Sequence, residues 1–555
     1  MAKKNKKKKQ TSLGFRIFCG IISFIFLAIV GVLIYELVAL NVLPSTILIP
    51  ACIAVGLLAL LFIILLNVYA KGYFGKILML ICVIALSVVS AFGSYYLYKT
   101  ADMIDVVTTV SDKVKNTESI IALNTSGISE LSDLEGKNVA VLRNLDSTGS
   151  KAIRKAVRKE YELSSEDDLP FTQTKVNGVQ ELANMLYNGE VDAIILNESY
   201  RANVREIEQF ADFDDATTVV YQTTFYTDST NEALAVSNIT SEPFIIFISG
   251  KDIEEGETAD DVNPGEPGRS DVNMCVVVNP LTSTVLLMSI PRDSYVPTYC
   301  DEGDYCGYGE YDKITHTGIY GVNTTKRTVE ELLGIQINYT FEVAYNSVIN
   351  IVDAIGGIDV YIEEGMAVSK FFADSSLEGV SEGWNHLDGR RALAFARERH
   401  AYLDGDNQRV RNQQIVLEAI FNKATSADVI KNYASLMEAV SGSFVTNMSS
   451  DEITTLIRYQ IQTMAEWNFE SYQLSGYGDM LVCAALGSEA SVIVPYDESI
   501  EIAKQKIQAV LNGQSSYVIE DTLDATSSQG ALSSEEIEAE IDAAIAEQEG
   551  YYYYY

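Results

Sequence analysis

Basic residues and histidines are both scarce in this chain of 555 residues. Lys and Arg number 40 against 76 Asp and Glu, which gives a formal net charge of −36, and there are 3 His. Because Lys and Arg neutralise the phosphates of nucleic acids, the deficit of basic residues argues against nucleic acid as a main partner. The few histidines, and the lack of Cys-X-X-Cys or mixed Cys/His spacing, argue against a zinc site or a histidine-rich metal site.

Apolar residues are abundant but unevenly distributed. They make up 48% of the chain, which argues against a wholly disordered protein. The mean hydropathy of +0.09 is high for so acidic a sequence. These two values are compatible only if the apolar residues are concentrated in one region, and they are concentrated in the first hundred positions.

Three apolar runs without charge predict three transmembrane helices within 17–98. They are Ile17–Tyr35, Ser45–Ala70 and Ile77–Tyr98, and each is long enough to cross a hydrocarbon core of about 30 Å. A cleaved signal peptide or a buried core helix is the alternative. Signal peptides have one apolar region of only about 7–15 residues, so three spans are favoured.

The distribution of lysines predicts the orientation of these spans. Residues 1–16 form a basic segment with six Lys among the first ten positions, and the second loop holds Lys71 and Lys76. Since short cytoplasmic loops are rich in Lys and Arg, the amino terminus is expected in the cytoplasm. The protein is then a multi-pass cell-membrane protein, and the chain after about residue 100 is extracytoplasmic.

Four cysteines lie in the predicted exported part. Cys300 and Cys306 bracket a short loop, and we expect them to form a disulfide because an oxidising compartment permits one. Cys275 lies in an apolar strand and is expected to be an inert core thiol.

Residues 101–240 are predicted to form an accessory α/β domain. Strand-like runs at Asn138–Leu142 and Val191–Leu196 flank a helical pattern at Val179–Leu186, and this region resembles one lobe of a periplasmic solute-binding protein. A binding site would hold an anion at the helix start around Ser147-Thr148-Gly149. The alternative, a spacer or docking domain without a ligand, is favoured because only one of the two lobes is visible.

Residues 241–512 are predicted to form a second, larger domain. Val272–Val278 and Thr284–Ile290 read as a hairpin, and helical periodicity appears at Arg327–Leu333, Ser347–Ala354, Ala392–Arg399 and Val410–Ala424. The predicted fold class is therefore α/β or α+β, with a mixed sheet covered by helices. The tail at 513–555, rich in Ser, Glu and Ala and ending in five Tyr, is expected to be disordered or partly helical.

Arginines in this acidic chain cluster at the predicted ends of strands and helices. They are Arg269, Arg292, Arg397, Arg399 and Arg409. The guanidinium fork matches phosphate oxygens two at a time, so the cluster suggests a multiply charged phosphate ligand. Asp252, Asp271 and Asp293 lie at ends of the same strands, where carboxylates could hold Mg²⁺. The alternative is a set of Arg–Asp pairs that stabilise surface loops.

Seven segments of the second domain resemble the LytR-CpsA-Psr family of cell-wall glycopolymer transferases. They follow the family's order over most of 244–420 and read "FISGKD", "GRSDVNMCVVVNP", "LLMSIPRDSYVP", "DKITHTGIYG", "VDAIGGIDVYI", "LDGRRALAFARERH" and "GDNQRVRNQQ". The three spans and the accessory domain look like the capsular-polysaccharide branch of that family.

The resemblance implies a membrane-anchored phosphotransferase. Its substrate would be a capsular or teichoic-acid-like polymer carried on undecaprenyl pyrophosphate. The polymer would be joined to peptidoglycan through a phosphodiester, and undecaprenyl phosphate would leave. The implied partners are the lipid-linked glycan, peptidoglycan and the membrane, with capsule-assembly proteins as further candidates.

The resemblance also assigns roles to residues. Asp252 and Asp271 would hold Mg²⁺ or Mn²⁺. The pyrophosphate would be bound by Arg269, Arg292, Lys313, Arg397, Arg399, Arg409 and Gln413. The catalytic set would be Arg292, Arg397, Arg399 and Asp293, with Asp293 orienting Arg292.

Other features of the site stay open at this stage. His316 could act as a general base, although a histidine that only hydrogen-bonds its own loop is favoured. The family's groove for the polyprenyl tail would run between the sheet and its covering helices. Two departures, the insertion Glu254–Pro267 and the loop Thr298–Tyr311, could alter the mouth of the pocket.

Two other functional classes compete with the transferase. Members of the family have been labelled transcriptional attenuators, so a regulator of capsule or cell-wall genes is one alternative. The sequence contains no basic recognition helix, and the large domain is expected outside the membrane. A non-catalytic receptor for lipid-linked glycans is the other alternative, and it would need the same arginines.

Overall fold

The computed structural model describes eight stretches of the chain, which fall into two units. The described residues are 12–108, 113–165, 169–228, 231–251, 265–301, 306–426, 444–523 and 530–541. The first unit contains Met1–Val106 and Ser449–Glu466, and the second contains Val107–Met448 and Trp467–Tyr555.

The helices are α1 (Leu13–Leu40), α2 (Ser45–Ile64), α3 (Tyr73–Thr108), α4 (Ser147–Glu160), α5 (Val179–Tyr187), α6 (Arg201–Glu206), α7 (Phe213–Ala216), α8 (Ile314–Thr317), α9 (Val322–Leu333), α10 (Tyr345–Ala354), α11 (Gly389–Arg397), α12 (Asp406–Ala424), α13 (Ser450–Thr463) and α14 (Asp497–Leu511). The strands are β1 (Lys113–Leu123), β2 (Asn138–Leu142), β3 (Thr172–Val176), β4 (Ala193–Asn197), β5 (Thr217–Asp228), β6 (Phe244–Lys251), β7 (Val272–Asn279), β8 (Thr284–Ile290), β9 (Tyr295–Pro297), β10 (Tyr311–Lys313), β11 (Tyr339–Ala344), β12 (Ile358–Ile362), β13 (Val368–Lys370), β14 (Glu378–Val380), β15 (Gly383–Leu387), β16 (Phe444–Thr446), β17 (Asn468–Gln473), β18 (Gly476–Cys483) and β19 (Ser488–Pro495).

The first unit contains the three predicted spans. Leu13–Leu40, Ser45–Tyr69 and Tyr73–Asp105 are long and apolar enough to cross a membrane, and π-helical turns extend α2 to Tyr69. Side chains from all three helices, including Phe26, pack into one apolar cluster. The three amino-terminal helices therefore suit a membrane anchor that precedes the second unit.

The accessory domain of the second unit is built on a five-stranded sheet. Its order is β3-β2-β4-β1-β5. The strand β2 pairs in parallel with β3 and β4, whereas β1 is antiparallel to β4 and β5. The centre of the sheet is covered on both faces, because β4 is buried at every position and its residues enter two different apolar clusters.

The larger domain is built on a six-stranded mixed sheet of order β16-β11-β6-β7-β8-β17. The central strands β6, β7 and β8 are antiparallel, and β11 and β17 add in parallel on either side. The predicted hairpin and the predicted mixed α/β fold are confirmed. One face of this sheet packs against α9 and α14 through residues such as Phe247, Leu333 and Ile507.

The antiparallel pairing brings three strand ends to one edge of this sheet. Gly250 near the end of β6 pairs with Val272 at the start of β7, and Asn273 pairs with Ile290 at the end of β8. The backbone N–H of Asp271 donates to the carbonyl of Gly250 at 2.8 Å. Chain segments just outside these strands therefore meet at this edge.

The predicted helices lie within α9, α10, α11 and α12, with one earlier end. The pattern predicts helix up to Arg399, but α11 ends at Arg397 because Glu398 adopts an extended conformation. The helix α12 then begins after Gly405, whose φ of 51° favours glycine at that turn.

Part of the tail is ordered, and residues 534–541 are helical, which agrees with the partly helical alternative rather than with a wholly disordered extension. The ammonium of Lys506 on α14 donates to the carbonyls of Ser516 and Ile519 at 3.1 and 3.0 Å. Ile537 is only 2% exposed and belongs to the same buried apolar cluster as Tyr402. A few apolar residues therefore hold part of this acidic tail in place, although the overall composition of the tail does not indicate it. The final tyrosines lie outside the described residues.

The cysteines behave as the sequence predicts. Cys300 and Cys306 form a disulfide, which closes the loop between β9 and β10. Cys275 is fully buried in β7, and burial raises the pKa of its thiol, so it is an inert core residue.

Candidate active site

Five positively charged side chains meet at the edge of the six-stranded sheet, and we call them the cationic cluster. The members are Arg269, Arg292, Lys313, Arg399 and Arg409. Arg269 precedes β7, Arg292 follows β8 and Lys313 ends β10, whereas the other two come from the α11–α12 region. Strand ends therefore supply three cations and helix ends supply two.

Asp271 lies at the centre of the cluster. Its Oδ1 is 2.8 Å from Nη1 of Arg292 and 3.4 Å from Nη2 of Arg269. Burial raises the pKa of this carboxyl, but the charges of Arg269, Arg292 and Arg409 outweigh it and lower the pKa to about 2. Asp271 is therefore ionised. Among the described residues its polar side-chain contacts all go to Oδ1, which leaves Oδ2 for a cation.

A second carboxylate, Asp293, bridges two members of the cluster. Its Oδ2 lies 3.6 Å from Nε of Arg292, and its Oδ1 lies 3.3 Å from Nζ of Lys313. The predicted orienting role of Asp293 toward Arg292 is consistent with this geometry. Arg409 is paired separately, through Nη2 at 2.8 Å from Oδ1 of Asp406.

Positive charges crowd around Arg399. Its own burial and the charges of Arg292 and Arg409 lower the pKa of Arg399. Arg397 ends α11 two residues earlier, and Gln413 lies one helical turn beyond Arg409 on α12. Repulsion among these cations favours an anionic ligand, since one multiply charged anion would relieve it.

The cluster also keeps unused hydrogen-bond donors. The Nε atoms of Arg269, Arg292 and Arg409 are buried and have no hydrogen-bond partner among the described residues. Buried donors without acceptors are costly, so three of them around one carboxylate indicate a site for an oxygen-rich anion.

The predicted metal pair is only half within the described residues. Asp271 is present, ionised and has an oxygen available, so it suits a hard divalent cation such as Mg²⁺. Asp252 lies outside the described residues, as does most of the insertion Glu254–Pro267. The metal site therefore stays a prediction.

His316 is fully buried between two carboxylates. Its Nδ1 lies 2.6 Å from Oδ1 of Asp312, and its Nε2 lies 2.9 Å from Oε2 of Glu206. Burial lowers the pKa of the imidazole, but the two acidic neighbours raise it to about 9. A histidine that is protonated at neutral pH cannot accept a proton, so the geometry favours a hydrogen-bonding role over a general base.

Sequence reasoning missed Glu206. It lies at the end of α6 in the accessory domain, yet it contacts His316, Lys313 and Arg269 of the larger domain. No motif or periodicity marks this position, because the contact arises only when the two domains pack together.

Sequence reasoning also missed a buried group of potential metal ligands. Asp312, His316 and Cys483 place one ligand atom each within 4.8 Å of one another. Their separation in the sequence hides the group from any spacing rule. The acid and the histidine already hydrogen-bond each other and Oδ2 of Asp312 accepts from the N–H of Ala485 at 2.8 Å, so a metal would have to displace existing bonds.

A cavity of about 770 Å³ lies between the sheet and the helices α11 and α12. Leu287 and Phe469 line it from the sheet, and Phe395 and Ile415 line it from the helices. Polar side chains such as Arg411 also border it, so the lining is mixed.

The helix start in the accessory domain is filled by acidic side chains. Asp146 caps α4 and accepts from the N–H of Gly149 at 3.0 Å. Glu118 is fully buried beside it, and a Cβ placed on Gly149 would lie 2.0 Å from Oε2 of Glu118. Two carboxylates therefore occupy the place predicted for a bound anion, which agrees with the favoured spacer or docking role.

Comparisons with known proteins match both domains. A sequence model of the LytR_cpsA_psr family matches residues 213–493. A model of the ABC-transporter phosphonate periplasmic substrate-binding protein matches residues 93–242.

Curated relatives include two named transferases. The polyisoprenyl-teichoic acid–peptidoglycan teichoic acid transferase TagU of Bacillus mycoides is 32% identical over 240 residues, which cover 43% of this chain and 70% of that protein. The corresponding TagT of Bacillus subtilis is 32% identical, with 42% and 69% covered. A crystal structure of protein gbs0355 from Streptococcus agalactiae is similar over 52% of this chain and 92% of that one, with 22% identity and a TM-score of 0.41. The family model matches half of the chain, and the two curated transferases are 32% identical over more than two thirds of their own length, so the chain belongs to the LytR-CpsA-Psr family.

Proposed function

We propose that the protein is a transferase that attaches a polyisoprenyl-linked glycopolymer to peptidoglycan. The observation that carries this proposal is the position of the ionised Asp271 among Arg269, Arg292 and Arg409, whose buried Nε atoms have no hydrogen-bond partner among the described residues. The curated relatives, which are named as teichoic acid transferases to peptidoglycan, support the same reaction class.

The substrate we propose is a glycan on polyprenyl pyrophosphate. An acceptor hydroxyl of peptidoglycan forms a new P–O bond to the phosphorus next to the sugar and loses its proton to solvent. The bridging P–O bond breaks, and polyprenyl phosphate leaves with the bonding electron pair. Such reactions need positioning and charge neutralisation. Arg292 and Arg399 are placed to bind the phosphate oxygens, and Asp293 fixes Arg292. Asp271 and Asp252 would hold Mg²⁺, which neutralises phosphate charge when bound.

The cavity of about 770 Å³ is our candidate for the start of the polyprenyl tail. It follows α12, the helix that also carries Arg409 and Gln413. A pyrophosphate in the cationic cluster could therefore extend its lipid along the same helix. The predicted capsular substrate would distinguish this chain from relatives that are named for teichoic acid.

The orientation of the anchor is part of the proposal. The lysines before α1 favour a cytoplasmic amino terminus, and the Cys300–Cys306 disulfide is consistent with an oxidising exterior. In that orientation the larger domain is on the same side of the membrane as the peptidoglycan.

The proposal can be tested by turnover. Full-length protein in detergent is given a glycan on polyprenyl pyrophosphate, Mg²⁺ and peptidoglycan, and release of polyprenyl phosphate is measured together with glycan attachment. We expect Arg292→Ala to lower the rate by about 10²–10³-fold, the usual loss for one electrostatic donor.

A matched control is available on α11. Arg390 is exposed and pairs with Asp374 away from the cluster, so Arg390→Ala should keep the wild-type rate. If the lipid binds but no phosphate product is released, the protein is a receptor. If Arg292→Ala turns over like the wild type, the assigned site is wrong.

A further inference from the structure

One acidic side chain in the cationic cluster comes from the accessory domain. Glu206 makes an ion pair with Nζ of Lys313 through Oε1, and its Oε2 lies 2.9 Å from Nε2 of His316. Nη1 of Arg269 lies 3.8 Å from the same Oε2. Two carboxylate oxygens are thus shared by three side chains that can carry positive charge.

Ion pairs within the accessory domain hold the helix that carries Glu206. Arg201 at the start of α6 is 2.7 Å from both Glu198 and Asp214, and Arg205 lies 2.6 Å from Asp214. Val204 is fully buried on the inner side of the same helix. The short helix is therefore fixed on both sides, and its last residue has a defined position.

The two domains of the second unit share a packed core near this helix. Ile319 and Ala485 of the larger domain are buried in the same apolar cluster as Val204. Tyr200 meets Tyr320 edge-on, with ring centroids 6.3 Å apart. Such packing holds Glu206 at the cluster because the accessory domain is docked on the larger domain.

The consequence for the cluster is that one of its cations is already neutralised. Lys313 contacts Glu206 and also lies 3.3 Å from Asp293, so two carboxylates surround one ammonium. A phosphate group that approached Lys313 would meet the negative charge of Glu206. A carboxylate and a phosphate oxygen accept the same charge-assisted hydrogen bonds, so they compete for the same donors.

We propose that Glu206 is an internal counter-ion that occupies the Lys313–His316 side of the cationic cluster and competes there with a phosphate group of the substrate. The inference rests on the proposed function. It gives the accessory domain a task in the catalytic site, because the domain would control how much positive charge is available to the pyrophosphate.

A role for Glu206 as a proton acceptor is less consistent with its surroundings. Burial raises the pKa of this carboxyl, but the hydrogen bond and charge of His316, together with Arg269 and Lys313, outweigh burial and lower it. Such a carboxylate is a poor base, whereas it remains a strong counter-ion at neutral pH.

The test is the affinity of the full-length chain for inorganic pyrophosphate with Mg²⁺, measured by calorimetry in detergent. Glu206→Gln keeps the shape of the side chain and removes its charge. We expect it to bind pyrophosphate about tenfold more tightly than the wild type, which corresponds to about 1.4 kcal/mol. Glu208→Gln is the matched control, since Glu208 is an exposed acid two residues later, and its affinity should not change.

Two further variants keep the outcomes separable. Glu206→Ala removes the same charge, so it should also bind more tightly, and the calorimetric stoichiometry reports the folded fraction of each variant. Equal or weaker binding by both Glu206 variants would overturn the inference. Arg292→Ala should bind pyrophosphate more weakly than the wild type, and if it does not, the proposed function fails at this site.

Discussion

Two buried carboxylate sites in the second unit differ in the charge of their neighbours. In the accessory domain, Glu118 and Asp146 lie side by side at the start of α4, and burial followed by the charge of Asp146 raises the pKa of Glu118 well above its ordinary value. In the larger domain Asp271 is equally buried, but surrounding arginines lower its pKa to about 2. Burial alone therefore does not decide whether a carboxyl group is ionised. The sign of the charges on the neighbouring side chains decides it.

The comparison separates the two domains by function. A helix start that could hold an anion is filled with acids in the accessory domain, whereas strand ends of the larger domain collect cations around one ionised acid. Only the second arrangement suits a phosphate ligand. The accessory domain instead contributes Glu206 to its neighbour's site.

The largest expected effect concerns the acid at the centre of the cationic cluster. Asp271→Asn removes its charge, so we expect the transfer rate to fall by about 10²–10³-fold and its response to Mg²⁺ to be lost. The rate is measured against Mg²⁺ concentration. Asp359→Asn, at an exposed carboxylate that pairs with His386, should behave like the wild type. A wild-type Mg²⁺ response in Asp271→Asn would remove this residue from the metal site.

A smaller effect is expected from the protonated His316. Its folded pKa of about 9 lies above the unfolded value of about 6.5, so the imidazolium stabilises the fold fully below pH 6.5 and loses this contribution as pH rises through 9. The shift corresponds to about 3 kcal/mol at most. Urea unfolding in detergent, followed by Trp fluorescence, should show a steeper loss of stability from pH 6.5 to 9 in the wild type than in His316→Gln. Parallel curves would contradict the prediction, and His386→Gln, at an exposed histidine, is the control.

A still smaller effect, of opposite sign, is expected in the acidic site of the accessory domain. Glu118→Gln removes a buried group whose ionisation is unfavourable in the folded state, so it should raise the free energy of unfolding at pH 7 by about 1–2 kcal/mol. Because the folded pKa of Glu118 is raised, the wild type loses stability as the pH rises above about 4.5. The difference in stability between Glu118→Gln and the wild type should therefore become smaller as the pH is lowered toward about 4.5. Glu160→Gln on the exposed side of α4 is the control. A less stable Glu118→Gln at pH 7 would show that the carboxyl has a favourable partner.

The smallest expected effect is no effect. A ligand that binds the folded state raises the melting temperature. Methylphosphonate should not raise the melting temperature of the Arg292→Ala variant, because Asp146 and Glu118 already fill the start of α4. A concentration-dependent rise would show that the accessory domain still binds an anion.

The sequence predicts that Arg292 and Asp271 come close together, and it does so for a physical reason. Arg292 lies two residues after an apolar strand and Asp271 directly precedes one, and the hairpin pairing of those strands brings the two residues together. The end of α11 at Arg397 allows Arg399 to turn toward the same place. Local patterns are sufficient where short-range pairing fixes the geometry.

Prediction fails where domains or distant segments meet. Glu206 reaches the cluster through docking of two domains, and Ile537 from an acidic tail joins the apolar cluster that contains Tyr402. Neither contact leaves a periodic signal, because it depends on complementary surfaces that form only in the fold. The role of Asp252 stays a prediction, since it lies outside the described residues.

The core shared by the two domains has a practical consequence for anyone who wants the catalytic module by itself. A chain that begins at Phe244 would lose the apolar partners of Ile319 and Ala485. Both side chains would then be exposed to solvent. The same cut would strip Lys313 of one of its two acidic neighbours. Such a fragment should be less soluble than the intact protein and should bind phosphate-containing ligands with higher affinity. Affinities measured on the fragment would therefore not represent those of the intact protein.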